Sequence, residues 1–116
     1  MDILKKIFGA PVAGISAEEA RTRLQQQGKP FLLDVRQPEE YQSGHIHGAT
    51  LIPLGSLQAR IGELPKDREI ICVCQSGSRS ISASRMLTEA GFRVLNLNGG
   101  MIAWMRAGLK VERGRS

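Results

Sequence analysis

Residues 69–80 read EIICVCQSGSRS, an apolar run that ends in a thiol and passes at once into small polar residues, a glycine and an arginine. A continuous apolar run of this length predicts a strand over 69–74 that is covered on both faces. The glycine-containing segment that follows predicts a tight turn. Apolar residues at helical spacing then predict a helix over 79–90, with Gly91 just after its end.

The rest of the chain repeats this alternation of buried strands and helices. Further strands are predicted at 30–35, 49–53 and 92–97. Other helices are predicted after the capping box Ser16–Glu19, over 38–44 behind Pro38, over 54–64, and after Gly99–Gly100. Strands that alternate with helices indicate an α/β domain, with a central, mainly parallel sheet and helices on both faces.

One domain is expected from a chain of 116 residues. We predict an N-terminal leader at 1–14, a folded domain over 15–110 and a basic C-terminal tail over 111–116. The leader lacks the long apolar run of a signal peptide or a membrane span. We therefore expect it to pack on the domain or to fray from it, and we do not expect residues 1–10 to contact a membrane.

Composition and charge narrow the function classes. Two cysteines that stand two residues apart make neither a disulfide framework nor a metal-ligand set, so a reducing cytoplasm and no metal are expected. The net charge of +5 favours anionic partners or substrates. Aromatic residues make up only 4% of the chain and no nucleic-acid-binding motif is present, which argues against nucleic acid as a partner.

Cys74 is the candidate nucleophile, because it lies where a strand ends. In open α/β sheets, ligands bind beyond the carboxyl ends of the strands. The backbone N–H groups of residues 75–80, in a turn that runs into a helix, would form a concavity for an anion. A thiol at a helix N-terminus or beside a cation has its pKa lowered from about 8.5 to roughly 3.5–7.5. Gly77 would allow the turn and Arg79 would supply the cation.

The spacing of this segment separates two chemistries. Cys74 and Arg79 are separated by four residues, a Cys-x4-Arg pattern. Protein tyrosine phosphatases and their relatives use Cys-x5-Arg, in which the loop surrounds a whole phosphate group. The tighter loop suits a smaller object, such as a single terminal sulfur on the cysteine.

The segment Cys74–Ser80 resembles the active-site loop of rhodanese-type sulfurtransferases, and the resemblance covers about residues 15 to 108. It extends to ordered motifs on either side of the loop: Leu33–Arg36, Glu40–Tyr41, Gly44–Ile46, Gly48–Ala49, Ile52–Pro53, Gly91–Phe92 and Gly99–Trp104. It implies one rhodanese-like domain with a parallel five-stranded sheet.

The resemblance also implies a mechanism. The Cys74 thiolate would take the outer sulfur of a donor such as thiosulfate, and the persulfide would be held by the loop residues Gln75, Ser76, Gly77, Ser78, Arg79 and Ser80. A thiol or cyanide would then accept the sulfur, without metal or organic cofactor. A sulfur-carrier protein or a cysteine desulfurase is a further expected partner. His45 falls on a motif position that implies a structural hydrogen bond, whereas His47 falls on a variable one and is expected to be solvated.

The roles of several side chains around Cys74 allow more than one interpretation. Cys72 is predicted to be a core thiol, since it would point to the same face of the strand as Cys74. Asp34 could serve the structure or the edge of the pocket. For Arg36, also at that edge, we favour a structural ion pair, for instance with Glu40 at i,i+4.

The remaining loop side chains are also open. Arg79 could contact the substrate, or it could pair with a carboxylate and brace the loop. Ser76, Ser78 and Ser80 could donate hydroxyl groups to sulfur or cap the helix.

Three classes of function therefore remain. A sulfurtransferase that works through a Cys74 persulfide is the leading hypothesis. A phosphatase or arsenate reductase on the same scaffold is disfavoured by the length of the loop. A non-catalytic interaction module is disfavoured by the presence of the cysteine, which inactive rhodanese-like domains usually lack.

Overall fold

A parallel sheet forms the centre of the molecule. The computed structural model describes residues 11–115, and the predicted leader residues 1–10 lie outside the described part. The strands are β1 (Gly14–Ile15), β2 (Phe31–Asp34), β3 (Thr50–Leu51), β4 (Ile70–Val73) and β5 (Val94–Leu97). Their order in the sheet is β1-β5-β4-β2-β3, and every pairing is parallel. The predicted α/β fold with a five-stranded sheet is confirmed.

The helices occupy the intervals that the sequence predicts, with one exception. They are α1 (Ala17–Leu24), α2 (Pro38–Ser43), α3 (Leu54–Leu57), α4 (Ser78–Glu89) and α5 (Gly100–Arg106). The continuous helix predicted over 54–64 is wrong, because α3 is followed by a separate 3-10 turn at Ile61–Glu63. Gly55 and Gly62 fall in this segment, and each disfavours a helix by about 1 kcal/mol relative to alanine.

The sheet separates two apolar layers, as expected for helices on both faces. Leu32 and Leu33 are neighbours on β2 and belong to opposite layers, because side chains alternate along a strand. One layer contains Ala20 of α1 and Trp104 of α5, and the other contains Leu57 of α3 together with Ala83 and Leu87 of α4. Cys72 and Cys74 both lie in the α3–α4 layer, so the prediction that they share a face is confirmed.

The segment 110–114 is held against the domain. Glu112 and His45 form an antiparallel bridge, with both N···O distances 2.8 Å. His45 is buried, and its Nδ1 lies 2.8 Å from the carbonyl oxygen of Tyr41, in agreement with the implied structural role. The His47 side chain is 81% exposed, although its Nδ1 lies 2.6 Å from Glu112 Oε1.

The described part of the chain contains neither a candidate membrane-spanning helix nor a candidate metal-binding cluster. Within residues 11–115, no helix has the length and apolar character that crossing a bilayer requires. Over the same residues, no three His, Cys, Asp or Glu side chains are grouped so that they could hold a metal ion.

The carboxyl ends of β2, β4 and β5 meet at one edge of the sheet. The Val35 N–H donates to the Val73 carbonyl at 3.0 Å, which joins the segments after β2 and β4. The Met101 N–H donates to the Cys74 carbonyl at 2.8 Å, which joins the segments after β4 and β5. Three chain segments therefore converge around Cys74.

Candidate active site

Residues 74–80, the Cys74 turn, connect β4 to α4. Cys74 follows the last residue of β4 and is 0% exposed. The Gly77 N–H donates to Cys74 Sγ over an N···S distance of 3.0 Å. Gly77 is also the N-cap residue of α4, so the sulfur lies beside the positive end of the helix dipole. The turn therefore offers an N–H donor and a favourable electrostatic environment to a negative charge on this sulfur.

The conformation of the Cys74 turn requires glycine at position 77. Gly77 has φ +108°, which residues with a Cβ rarely adopt, and a Cβ there would lie 3.4 Å from Gly99 N. The sequence-based expectation about Gly77 therefore agrees with the geometry.

The N-terminus of α5 holds the other side of the Cys74 turn. Met101 N–H donates to the Cys74 carbonyl at 2.8 Å, and Ile102 N–H donates to the Gln75 carbonyl at 3.1 Å. Gly100 has φ +58°, and a Cβ at this position would overlap the Cys74 carbonyl oxygen. These bonds fix the directions in which the peptide groups of the turn point. The sequence indicated for Gly99–Gly100 only a role in starting the helix. It did not reveal that the Met101 and Ile102 N–H groups bond to the Cys74 turn, or that the backbone at Gly100 lies close to the backbone at Cys74.

The serines of the turn do not share one role. Ser80 is buried, and its hydroxyl donates to the Gly77 carbonyl at 3.0 Å, so it braces the turn from within. Ser76 and Ser78 are exposed. Gly77 is the N-cap residue of α4, which begins at Ser78, and no side chain caps it, so capping, one of the two roles left open for the serines, is not found at this helix.

Arg79 pairs with a carboxylate of α2. Its two terminal nitrogens donate to Glu40 Oε1 at 2.7 Å and to Glu40 Oε2 at 2.8 Å, which is a bidentate pair. The guanidinium, joined by the Gln37 N–H, lowers the pKa of Glu40 from 4.5 to about 2. Of the two roles that the sequence left open for Arg79, this geometry is that of a brace between the Cys74 turn and α2.

Asp34 and Arg36 form a second, buried pair beside the turn. Arg36 Nε lies 3.0 Å from Asp34 Oδ1, and Arg36 Nη2 lies 2.8 Å from Asp34 Oδ2. The same guanidinium donates to the Gly44 carbonyl at 2.8 Å and to Gln75 Oε1 at 3.3 Å. The two residues are 0% and 2% exposed.

The suggested pairing of Arg36 with Glu40 is wrong. An i,i+4 pair requires both residues on one helix, but Arg36 precedes α2, which begins at Pro38. The chain instead bends at Arg36, and Asp34 Oδ1 accepts from the Arg36 backbone N–H at 3.0 Å as well as from its side chain.

A cavity of about 320 Å³ borders the Cys74 turn at Gln75, and we call it the entrance cavity. Its lining consists of Arg36, Glu40, Ser43, Gly44, Gln75, Met101 and Met105. Cys74 itself is 0% exposed and is not among the residues that line this cavity.

Cys72 differs from Cys74 in its surroundings. It is 0% exposed in the α3–α4 layer, and burial raises the pKa of its thiol to about 12 against a smaller opposing effect of the Ser84 hydroxyl. A thiol that stays protonated at neutral pH is a poor nucleophile. The prediction that Cys72 is a core thiol is confirmed.

Replacement of Cys72 by alanine is expected to leave the reactivity of Cys74 within about twofold of the parent, because the Cys72 thiol takes no part in the Cys74 turn. The loss of a buried sulfur should lower the free energy of unfolding by about 1 kcal/mol. Steady-state kinetics and urea unfolding would measure the two effects. A large loss of activity with an intact fold would show that Cys72 takes part in the chemistry.

Replacement of Glu40 by glutamine is expected to lower the free energy of unfolding by about 1 kcal/mol at neutral pH, since both partners of the pair are about one-third exposed and partly screened. The folded-state pKa is depressed, so this stabilisation is complete above pH 4.5 and is lost as the pH falls through about 2. Urea unfolding of parent and variant from about pH 7 down to about pH 3 should show the difference narrowing. A difference that does not depend on pH would contradict the ion pair as its cause.

Comparison with known proteins gives consistent matches. The family model described as a rhodanese-like domain matches residues 16–107. A sulfurtransferase of Allochromatium vinosum is 41% identical over 98 residues, which cover 84% of this chain and 92% of that protein. The HTH-type transcriptional regulator Rv0324 of Mycobacterium tuberculosis is 39% identical, and the match covers 93% of this chain and 48% of the regulator. The crystal structure of a thiosulfate sulfurtransferase from Pseudomonas aeruginosa superposes with a TM-score of 0.84 at 30% identity, covering 98% of this chain and 22% of that one.

Proposed function

Because this chain belongs to the rhodanese-like domain family, we propose that it is a sulfurtransferase that works through a persulfide on Cys74. The sulfane sulfur would come from thiosulfate or from another persulfide donor and would go to a thiophilic acceptor. The observation that carries this proposal is the N–H of Gly77 directed at Cys74 Sγ, in a turn whose carbonyls are held by α5.

The first half-reaction loads the cysteine. The Cys74 thiolate attacks the outer sulfur of thiosulfate, a new S–S bond forms, and the old S–S bond breaks with its electron pair on the departing sulfite. The product is a Cys74 persulfide whose terminal sulfur carries the negative charge. N–H groups of the turn stabilise that charge as an oxyanion hole stabilises oxygen.

The second half-reaction returns the enzyme to its starting state. Cyanide, or a thiolate in the cell, attacks the terminal sulfur, and the electron pair of the broken S–S bond returns to Cys74. Neither step requires a metal or an organic cofactor. Covalent catalysis in two half-reactions predicts ping-pong kinetics.

The test is to load and discharge the protein in separate steps. The reduced protein is incubated with thiosulfate, the excess donor is removed, and the intact mass is measured by mass spectrometry. We expect a gain of one sulfur atom, which cyanide removes with formation of an equal amount of thiocyanate. A protein whose mass stays unchanged with thiosulfate and with every persulfide donor tried would contradict the proposal.

A regulatory module is the second candidate function. A relative of this chain is a transcriptional regulator, and Cys74 is 0% exposed in this structure. A domain of this kind would bind a partner without turnover. Persulfide loading without thiocyanate formation would favour it, whereas hydrolysis of an aryl phosphate without sulfur transfer would favour the disfavoured phosphatase.

The cellular compartment and the protein partners of the reaction are also part of the proposal. We place it in the cytoplasm, where thiols stay reduced and two unpaired cysteines are maintained. A cysteine desulfurase as donor or a sulfur-carrier protein as acceptor fits a reaction that needs only an accessible sulfur on the partner.

A further inference from the structure

The charges around the entrance cavity are compensated within the protein. Arg36 is paired with Asp34 at 2.8 Å, and Arg79 is paired with Glu40 at 2.7 Å. Glu40 also lines the cavity, so it presents a carboxylate to whatever enters. These two carboxylates balance the charges of the Arg36 and Arg79 guanidiniums.

The rest of the cavity lining is neutral, and part of it is apolar. Met101, which is 1% exposed, and Met105, which is 48% exposed, both line the cavity. Both belong to α5, the helix that also holds the carbonyls of the Cys74 turn. Thioethers are polarisable and adapt to aliphatic or sulfur-containing groups, but they offer no hydrogen bond to a sulfonate.

We propose that Glu40 determines donor specificity: by holding Arg79 in a bidentate pair it withholds that cation from dianionic donors and favours a hydropersulfide on an uncharged aliphatic stem. The inference rests on the function proposed above and narrows its donor class. Thiosulfate brings two negative charges towards the carboxylate of Glu40 without an uncompensated cation to meet them. An uncharged stem is not repelled by this carboxylate and can pack on Met101 and Met105.

The step is balanced for this donor. The Cys74 thiolate attacks the outer sulfur of R–S–SH, an S–S bond forms to Cys74, and the inner S–S bond breaks with its electron pair on R–S⁻. The proton of the outer sulfur passes to the departing thiolate, which leaves as R–SH. The number of S–S bonds is conserved, so no outside oxidant or reductant is needed.

The first measurement compares donors on the unaltered protein. Loading of Cys74 is followed by intact mass with thiosulfate, with 2-hydroxyethyl hydropersulfide, and with a cysteine hydropersulfide in a short uncharged peptide. We expect the second-order loading rate of at least one uncharged hydropersulfide to exceed that of thiosulfate by about tenfold or more, after correction for the intrinsic reactivity of each donor with a small thiol. The peptide shows in addition whether a polypeptide stem is accepted.

The second measurement uses Glu40→Gln, which releases Arg79 while keeping an oxygen that can accept from Gln37. We expect the ratio of the loading rate with thiosulfate to the loading rate with the uncharged hydropersulfide to rise about fivefold to tenfold. Raising the ionic strength to about 1 M should remove most of the gain, because screening then acts within about 3 Å. Glu39→Gln is the matched control: it removes the same charge from the neighbouring, exposed residue of α2, outside the cavity lining, and should change neither rate.

The outcomes separate this inference from the proposed function. If no donor loads Cys74, the sulfurtransferase function itself fails. If the unaltered protein loads as fast from thiosulfate as from the uncharged donors, or if Glu40→Gln and Glu39→Gln behave alike towards thiosulfate, only the role assigned to Glu40 is overturned.

Discussion

Cys74→Ser is expected to abolish sulfur transfer, with kcat/KM reduced by about 10⁴-fold or more. A serine hydroxyl is not ionised at neutral pH, and without an ionised nucleophile the S–S bond of the donor is not attacked. The fold should be retained, since serine differs from cysteine by one atom and the turn is held by backbone bonds to α5. Intact mass after incubation with donor, together with thiocyanate formation, would measure the loss.

The control for this experiment is Cys72→Ala, which retains Cys74 and should load and discharge one sulfur. Both variants should show the circular dichroism of the parent. If Cys74→Ser still gains a sulfur atom that cyanide removes, the nucleophile is another group and the assignment of Cys74 is wrong.

Asp34→Asn is expected to have the largest effect on stability, lowering the free energy of unfolding by about 3–5 kcal/mol. The change preserves shape but leaves the Arg36 guanidinium, 2% exposed, without a counter-charge inside the protein. Activity should fall as well, because Arg36 also holds the Gly44 carbonyl and the Gln75 side chain at the entrance cavity. Urea unfolding and persulfide loading would measure the two effects.

The matched control is Glu63→Gln, which disrupts the exposed pair of Arg60 and Glu63. That pair is in water, and its loss should leave the free energy of unfolding nearly unchanged. Asp34→Asn combined with Arg36→Met removes both charges and should recover much of the stability without restoring activity. An Asp34→Asn protein as stable as the Glu63→Gln protein would contradict the account of a buried pair.

Sequence alone predicted the parts of the fold that depend on local pattern. The strands that became β2, β4 and β5 come from largely apolar segments, interrupted by Asp34 in β2 and by Asn96 in β5, and α4 has a clear apolar face bounded by two glycines. β1 was not visible in the pattern, since it has two residues and exists only because it pairs with β5. Its presence was implied only by the resemblance to a known family.

The ion-pair partners of the charged residues could not be predicted from the local sequence either, because they also depend on segments that are distant in the chain. Arg79 and Glu40 are 39 positions apart, so only the tertiary fold brings them together. The short-range pairing suggested for Arg36 ignored the competition of Asp34, whose carboxylate is buried and has no water to satisfy it. The position of Cys74 was predictable because the end of a strand is a local feature, but the electrostatics around it were not.

The contact of α5 with the Cys74 turn has a consequence for the order in which the molecule is made. Cys74 leaves the ribosome before Met101 and Ile102, whose N–H groups fix the carbonyls of the turn. During that interval the carbonyls of the Cys74 turn lack these two N–H partners, so the turn is not yet held in its final orientation. We therefore expect the proposed reactivity towards sulfur donors to begin only when α5 has docked, and a chain interrupted before residue 100 to carry Cys74 without the assembled turn.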